Sequence, residues 1–390
     1  MKISSVEIYL IPNPWKGWVF IRVLTTDGEE GIGEATHYFG QRAVKSMYKD
    51  VKDFILGRDP LEVENLWYQM FKETGASFKD LTKISLMSGI EVACWDIIGK
   101  HFGAPVYQFF GGAIRDKVKV YANGWYRGIK QLEDWGKKAK DVVRKGYKAM
   151  KFDPFGATST ELKHKDFKKS IRIVEIVRDS VGDEIELMIE GHGRFNVATA
   201  IKIGKELEKF NITWFEDPVM VGDIQGLIRV SRAVSIPIAS GEWCMSRFDH
   251  NLIDMLTSRA IDILLPDVIT MGGLSETKKV STFAEIFRVP VALHQAEGPI
   301  NTMSELQLDA NLTNFKIQEY FGDFAYPDWA WELLTQKPKF NDGFLEVPKS
   351  PGIGTSLNMK KIEEYADEEK ITNFNLYKEG WENRALPTST

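Results

Sequence analysis

Glu190, Glu216, Glu242, Asp267, His294 and Glu319 are separated, by subtraction of their numbers, by 26, 26, 25, 27 and 25 residues. Each closes a short apolar run: IELMIE, ITWFE, IPIASGE, IDILLPD, VPVALH and FKIQE. A repeat of that length holds one strand, one helix and two loops. In a barrel of parallel strands all the C-terminal strand ends meet on one face, so these six side chains converge on one point. Five carboxylates crowded there repel one another unless a cation joins them. An all-oxygen set from Glu190, Glu216 and Glu242 suits a hard divalent ion, Mg²⁺. One acid at a strand end is commonly just a loop cap. Three at matched spacing, each beside Pro or Gly in WFEDP, ASGEW or IEGHG, point to a shared coordination sphere.

The other polar residues of the ladder suggest proton transfer. Asp267 and His294 end adjacent strands, where a carboxylate fixes the imidazole tautomer and raises its basicity, as a general base requires; the bland alternative is a histidine satisfied by a backbone carbonyl. His192, two residues past Glu190 and flanked by Gly191 and Gly193, is either a second proton carrier or a loop histidine in water. Lys151 and Asp153 close an earlier strand in MKFDP. A lysine there pairs with the carboxylates and also stabilises an enolate. Glu319, if protonated, donates to a substrate oxygen, which requires surroundings that raise its pKa. Trp15, Trp18, His37, Tyr38 and Phe39 read as a loop cluster, either ordinary exposed aromatics or a lid that keeps water from the barrel mouth.

The elements that position these residues follow from periodicity. VEIYLI and WVFIRVLTTDGEEGIGEA, with a DG turn, read as antiparallel strands, and helical patterns follow over 42–56, 61–73 and 83–101. Strands then helices give an α+β domain over 1–115. VKVYANG and YKAMKFD add two strands to the ladder's six, making eight. Helical stretches at 131–145, 166–180, 197–210, 223–234, 247–258, 274–287 and 301–312 fill the gaps. The expected fold is α/β, a modified (β/α)7β-type TIM barrel over 116–340 with an N-terminal α+β capping domain. A Gly- and Pro-containing C-terminal segment, 341–390, is expected to return to that domain.

The 390 residues suffice for a barrel of roughly 250 plus one further domain. A net charge of −5 leaves no electrostatic footprint for nucleic acid or an anionic membrane and favours a small-molecule partner. Two cysteines, Cys94 and Cys244, make no disulfide framework and fit a reducing cytosol. The N-terminal stretch lacks a basic region followed by a long apolar one, and no run of about 18 apolar residues occurs. The expectation is a cytoplasmic enzyme.

GIEVACWDIIGKHFGAPVYQFFGG, IEGHGRFN, WFEDP, SGEW, LPDVITMGG and ALHQAEGP occur in the order found in the enolase superfamily. The chain resembles the mandelate-racemase-like branch of that superfamily over almost its whole length. Within it, YANGWY, KFDPFG and HGRFN look closest to archaeal gluconate and arabinonate dehydratases. The resemblance implies Mg²⁺ held by Glu190, Glu216 and Glu242, a base dyad of Asp267 and His294, His192 as general acid, and Glu319 as donor to an enolate. Asn123, Asp153 and Arg194, from the same motifs, join Trp18, His37 and Tyr38 as candidate substrate contacts. It further implies a homo-oligomer, because the lid in this family often approaches a neighbouring subunit. Two departures stand out. Racemases of the branch carry Lys-x-Lys where this chain has Lys151-Phe152-Asp153, which speaks against two-sided proton exchange and leaves one-base elimination open. Glu190 also stands where much of the branch has aspartate. The expected activity is β-elimination of water from a sugar acid to a 2-keto-3-deoxy acid. A racemase or epimerase of a 2-hydroxy acid is the alternative, and a Schiff-base aldolase or a non-catalytic role are more distant ones.

Overall fold

A computed structural model describes residues 1–75 and 79–371. The chain begins with three antiparallel strands, β1 (Ile3–Ile11), β2 (Trp18–Thr25) and β3 (Glu30–Glu34), paired in the order β1-β2-β3. Helices α1 (Gln41–Val51), α2 (Val63–Glu73) and α3 (Leu81–His101) follow. In α3, the stretch LMSGIEVACWDIIG is buried almost all the way round, because one face meets the three-stranded sheet and the other meets the barrel. Glycine permits that sheet contact. An ideal Cβ on Gly33 would lie 2.0 Å from the Gly89 carbonyl oxygen, and one on Gly31 2.0 Å from that of Ala93.

The barrel has eight staves. Six successive parallel strands are β4 (Lys117–Ala122), β5 (Ala149–Phe152), β6 (Glu186–Glu190), β7 (Ile212–Glu216), β8 (Ile238–Ser240) and β9 (Ile263–Leu264). The seventh stave, around Val291, is joined by parallel bridges of Val291 to Leu264 and Phe315. The eighth, β10 (Gln318–Tyr320), closes the ring in parallel register on β4. Between staves run α4 (Asp134–Arg144), α5 (His164–Val181), α6 (Val197–Leu207), α7 (Ile224–Ala233), α8 (His250–Thr257), the short α9 (Val268–Met271) with α10 (Leu274–Ile286), and α11 (Pro299–Asn311). Among the described residues no α-helix packs as an eighth, which gives the (β/α)7β arrangement.

Every stave contributes to a buried interior layer: Tyr121, Ala149, Met188, Trp214, Ala239, Ile263, Leu265, Ala292 and Ile317. Large and small side chains are mixed, so the interior is solid and the site sits on top of it. Trp214 reaches upward from this layer, its Nε1 donating to Glu216 Oε2 at 2.7 Å.

Capping-domain carboxylates dock on the N-termini of barrel helices, where backbone N–H groups lack partners within the helix. Glu91 of α3 accepts from Leu274 N (2.8 Å) and Ser275 N (2.9 Å) at the start of α10. Glu34, ending β3, accepts from Gly298 N (2.6 Å) and Asn301 N (3.0 Å) at the start of α11. The C-terminal segment adds β11 (Phe340–Asn341) and β12 (Phe344–Glu346), the latter antiparallel to β4. Ile353 N then donates to Asp96 of α3 at 2.9 Å, and Asp367 N to the Leu10 carbonyl at 3.0 Å. The part of that segment expected over 372–390 lies outside the described residues.

Candidate active site

Glu190 and Glu216 are the last residues of adjacent strands and face each other in register. Glu242 follows β8 by two residues, past Gly241 at φ 140. One oxygen from each of the three lies within 4.8 Å of the others, and all three side chains are buried. Burial, reinforced by Glu190, pushes the Glu216 carboxyl well above its ordinary value, and burial also raises Glu242. For Glu190 burial acts in the same direction, but His192 and Lys151 outweigh it and hold the carboxyl low. Beside them Asp217 is 1% exposed, with neither carboxylate oxygen hydrogen-bonded among the described residues. An all-oxygen triad strained by its own charge, with an orphaned carboxylate alongside, fits a hard divalent cation.

Lys151, near the end of β5, partly offsets that charge. Its Nζ lies 3.1 Å from Glu190 Oε2 and 3.0 Å from Glu319 Oε1, and it also contacts Glu216. Burial opposes its charge, yet Glu216 and Glu319 outweigh burial and raise its pKa well above the ordinary value. Glu319 takes Asn123 Nδ2 at 2.6 Å on Oε1 and Gln295 N at 2.9 Å on Oε2. Both of its oxygens therefore accept hydrogen bonds in this arrangement.

Asp267 sits at the N-cap of α9. Its Oδ1 accepts from Ile269 N (2.6 Å) and Thr270 N (3.1 Å), which leaves Oδ2 for His294 Nδ1 at 2.7 Å. His294 Nε2 then faces the cavity, 3.2 Å from both the Tyr38 hydroxyl and Glu242 Oε2. Burial lowers its pKa, but Glu242, Asp267 and Glu319 outweigh burial and place it well above the ordinary value. Across the site, His192 adopts a left-handed backbone (φ 51), its N–H donating to Glu190 Oε1 at 2.6 Å. Its Nδ1 lies 2.8 Å from Asp153 Oδ2. An ideal Cβ on Gly191 would come within 2.7 Å of the Asp217 carbonyl oxygen, so glycine is needed where this loop crosses the next.

One cavity collects Lys151, Glu190, His192, Glu242, His294, Glu319, Asn123 and Tyr38, with Trp15, Tyr126, Arg127 and Phe321 along another part of its wall. Four expected substrate contacts do not line it. Trp18 begins β2 instead of lying in a loop; it is 1% exposed and packs on Phe20, Tyr326 and Trp329. His37 is buried behind the mouth, its pKa pushed down to about 4 by burial and by nearby Lys16. Asp153 turns to His192 and Arg194, and Arg194 is spent on Asp153 and the carbonyls of Gly191, Gly156 and Thr158. Of the expected lid, Trp15 and Tyr38 reach the cavity while Phe39 is 65% exposed outside it.

Three features escaped the sequence reading. Asp153 was legible as an acid at a strand end, but its partner is set by Arg194. Glu297, three residues past His294, pairs with buried Lys16 at 2.9 Å and ties the capping loop to the barrel. Arg127, in the loop of YANGWY, carried no sequence signal at all.

Comparison with known proteins places the chain in a family. Residues 15–111 match the mandelate racemase/muconate lactonizing enzyme N-terminal domain, and residues 134–361 the enolase C-terminal domain-like model. A D-gluconate dehydratase of Thermoproteus tenax is 35% identical over 90% of this chain and 70% of its own length. A D-gluconate/D-galactonate dehydratase of Picrophilus torridus is 33% identical over 93% of both chains. The solved structure of a Mesorhizobium loti protein, provisionally named a dehydratase, superposes with a TM-score of 0.90 at 34% identity, covering 94% of this chain and 99% of that one. With its capping domain, its (β/α)7β barrel and its carboxylate triad, the chain belongs to the mandelate racemase/muconate lactonizing enzyme family of the enolase superfamily.

Proposed function

We propose that this chain is a Mg²⁺-dependent dehydratase of an aldonic acid such as D-gluconate or D-arabinonate, converting it to a 2-keto-3-deoxy acid and water. The observation that carries the reading is one cavity bearing two histidines, His294 and His192, each bound through Nδ1 to its own carboxylate beside a three-carboxylate cluster. Glu190, Glu216 and Glu242 would hold the ion. When bound, Mg²⁺ supplies Lewis-acid stabilisation of the negative charge that develops on the substrate carboxylate.

His294 Nε2 takes the proton from C2 while Asp267 holds Nδ1–H and stabilises the imidazolium. Lys151 contributes a fixed positive charge to the enediolate. His192 delivers a proton to the 3-hydroxyl as the C3–O bond breaks, so one water leaves and the resulting enol tautomerises to the 2-keto acid. Trp15 and Tyr38, from the capping domain, cover the mouth and exclude water. The names of the relatives, which are dehydratases of gluconate and galactonate, support the reaction class.

A second reading, epimerisation at C2, draws support from the same pair, because His192 with Asp153 has the equipment of a second base. A panel of pentonates and hexonates incubated with protein and Mg²⁺ separates the two. Loss of one water with appearance of a 2-keto-3-deoxy acid is expected. Inverted C2 carrying solvent deuterium, with no keto acid formed, would replace the dehydratase by an epimerase.

A further inference from the structure

Arg127 occupies an unusual position for a cation. It is 5% exposed, and its Nη2 is buried without a hydrogen-bond partner among the described residues. Nη1 donates to the Ala325 carbonyl at 3.1 Å. The guanidinium carbon lies 3.7 Å from the centre of the Trp15 ring, and Trp15 in turn stacks on Phe321 at 5.1 Å. The titratable groups that act on it are the Tyr126 and Tyr326 phenols, both kept neutral by burial, and burial pushes its own pKa down to about 9, so it remains charged at neutral pH. A buried cation without an anion is costly, and the cost falls when a ligand brings acceptor oxygens.

The loop that carries Arg127 is fixed. Gly124 turns at φ 72, and a Cβ there would lie 2.9 Å from Ala325 Cβ. Trp125 Nε1 anchors the loop on the Lys151 carbonyl at 2.9 Å. Trp15 covers the guanidinium face and the Ala325 carbonyl takes Nη1, which leaves Nη2 as the donor without a partner among the described residues. Arg127, Trp15 and Phe321 line the same cavity as Lys151, Glu190, Glu242 and the two histidines.

We infer that Arg127 is the specificity-determining residue for the far end of the substrate. It donates to acceptor oxygens there, either a terminal hydroxyl or a second carboxylate, while the carboxylate end of the acid lies at the Glu190–Glu216–Glu242 cluster. This inference rests on the acid-sugar reading above and adds the chemistry of the distal group. It makes the enzyme a reader of chain length and terminal oxidation, because an acid ending short of Arg127 leaves the guanidinium unanswered.

The test is titration calorimetry on Mg²⁺-loaded protein carrying His294→Asn, so that each acid is held and not consumed. Adding Arg127→Met is expected to weaken the preferred hexonate, pentonate or hexarate about tenfold or more, the effect of losing a charged hydrogen-bond donor. Binding of glycerate, which ends at C3, and the thermal unfolding midpoint are expected to stay unchanged. Arg127→Lys keeps the charge and loses the fork. If Lys preserves hexarate binding and not aldonate binding, the distal oxygens belong to a carboxylate; if the aldonates bind best and lose most with either variant, they belong to hydroxyls. An equal loss for glycerate, no loss for any longer acid, or no binding of the longer acids overturns the inference. The dehydratase reading fails separately, when wild-type protein binds these acids and releases no water from them.

Discussion

Asp153 Oδ2 lies 2.8 Å from His192 Nδ1, so the residue standing where racemases of this branch carry a second lysine holds a histidine instead. Arg194 contacts the same oxygen, which fixes the carboxylate before it meets the imidazole. An oriented imidazole, contributed from the loop after the neighbouring strand, thus stands beside that position. The site has two carboxylate–histidine pairs, which in the dehydration proposed above would serve its two proton transfers.

Asp153→Asn tests that relationship. An amide N–H donated to Nδ1 would hold His192 as the neutral Nε2–H tautomer, and the substitution removes the carboxylate that favours the imidazolium, so the ring is left a much weaker acid at Nε2. Dehydration is expected to fall by about 10²–10⁴, the usual worth of a general acid. Exchange of the C2 proton with solvent is expected to persist. Steady-state dehydration rates read beside deuterium wash-in decide the matter; a parallel loss of both would make Asp153 a general structural support.

Trp18→Ala is expected to act on stability. Trp18 is buried against Phe20, Tyr326 and Trp329, and deleting a buried tryptophan costs about 3–5 kcal/mol. Urea unfolding should show that loss, while KM of the folded enzyme moves little. A normal unfolding midpoint with a raised KM would return Trp18 to the lid.

How much of this was readable in the sequence varies with the range of the interactions involved. The ladder from Glu190 to Glu319 is legible because the barrel repeats a local unit, and position along a strand determines which face a residue reaches. The dyad follows from the same logic, since Asp267 and His294 end neighbouring staves. The lid was only half legible: Trp15, Trp18, His37, Tyr38 and Phe39 are close in sequence, but the strand beginning at Trp18 turns that residue into the core and leaves Trp15 and Tyr38 to face the barrel. Glu319 is legible as an acid at a strand end, but its partners are not. Its protonation role depends on who donates to it, and those donors, Asn123, Lys151 and Gln295, come from three separate loops and strands. Arg127 looked like any loop arginine, because Trp15 and Ala325, which enclose it, are distant in the chain.

Metal removal should abolish both dehydration and C2 exchange, with Mg²⁺ restoring them. Glu216→Gln should weaken Mg²⁺ binding measured directly by calorimetry, because a neutral amide removes one charge from the cage and leaves Lys151 with less opposing it. Undiminished Mg²⁺ affinity in that variant would move the ion away from the Glu190–Glu216–Glu242 cluster.

The two histidines should separate cleanly. His294 Nε2 faces the cavity with its Nδ1 tied to Asp267, so His294→Asn removes the base, and C2 exchange and dehydration should stop together. His192→Asn leaves that base intact. The enediolate still forms and is reprotonated by His294, so C2 exchange continues while loss of the 3-hydroxyl slows by about 10²–10⁴. Deuterium incorporation at C2 of recovered substrate, followed in D₂O for both variants, is the measurement. If His294→Asn retains exchange, the base lies elsewhere. If His192→Asn loses exchange and His294→Asn keeps it, the roles are reversed and Asp153–His192 is the base dyad.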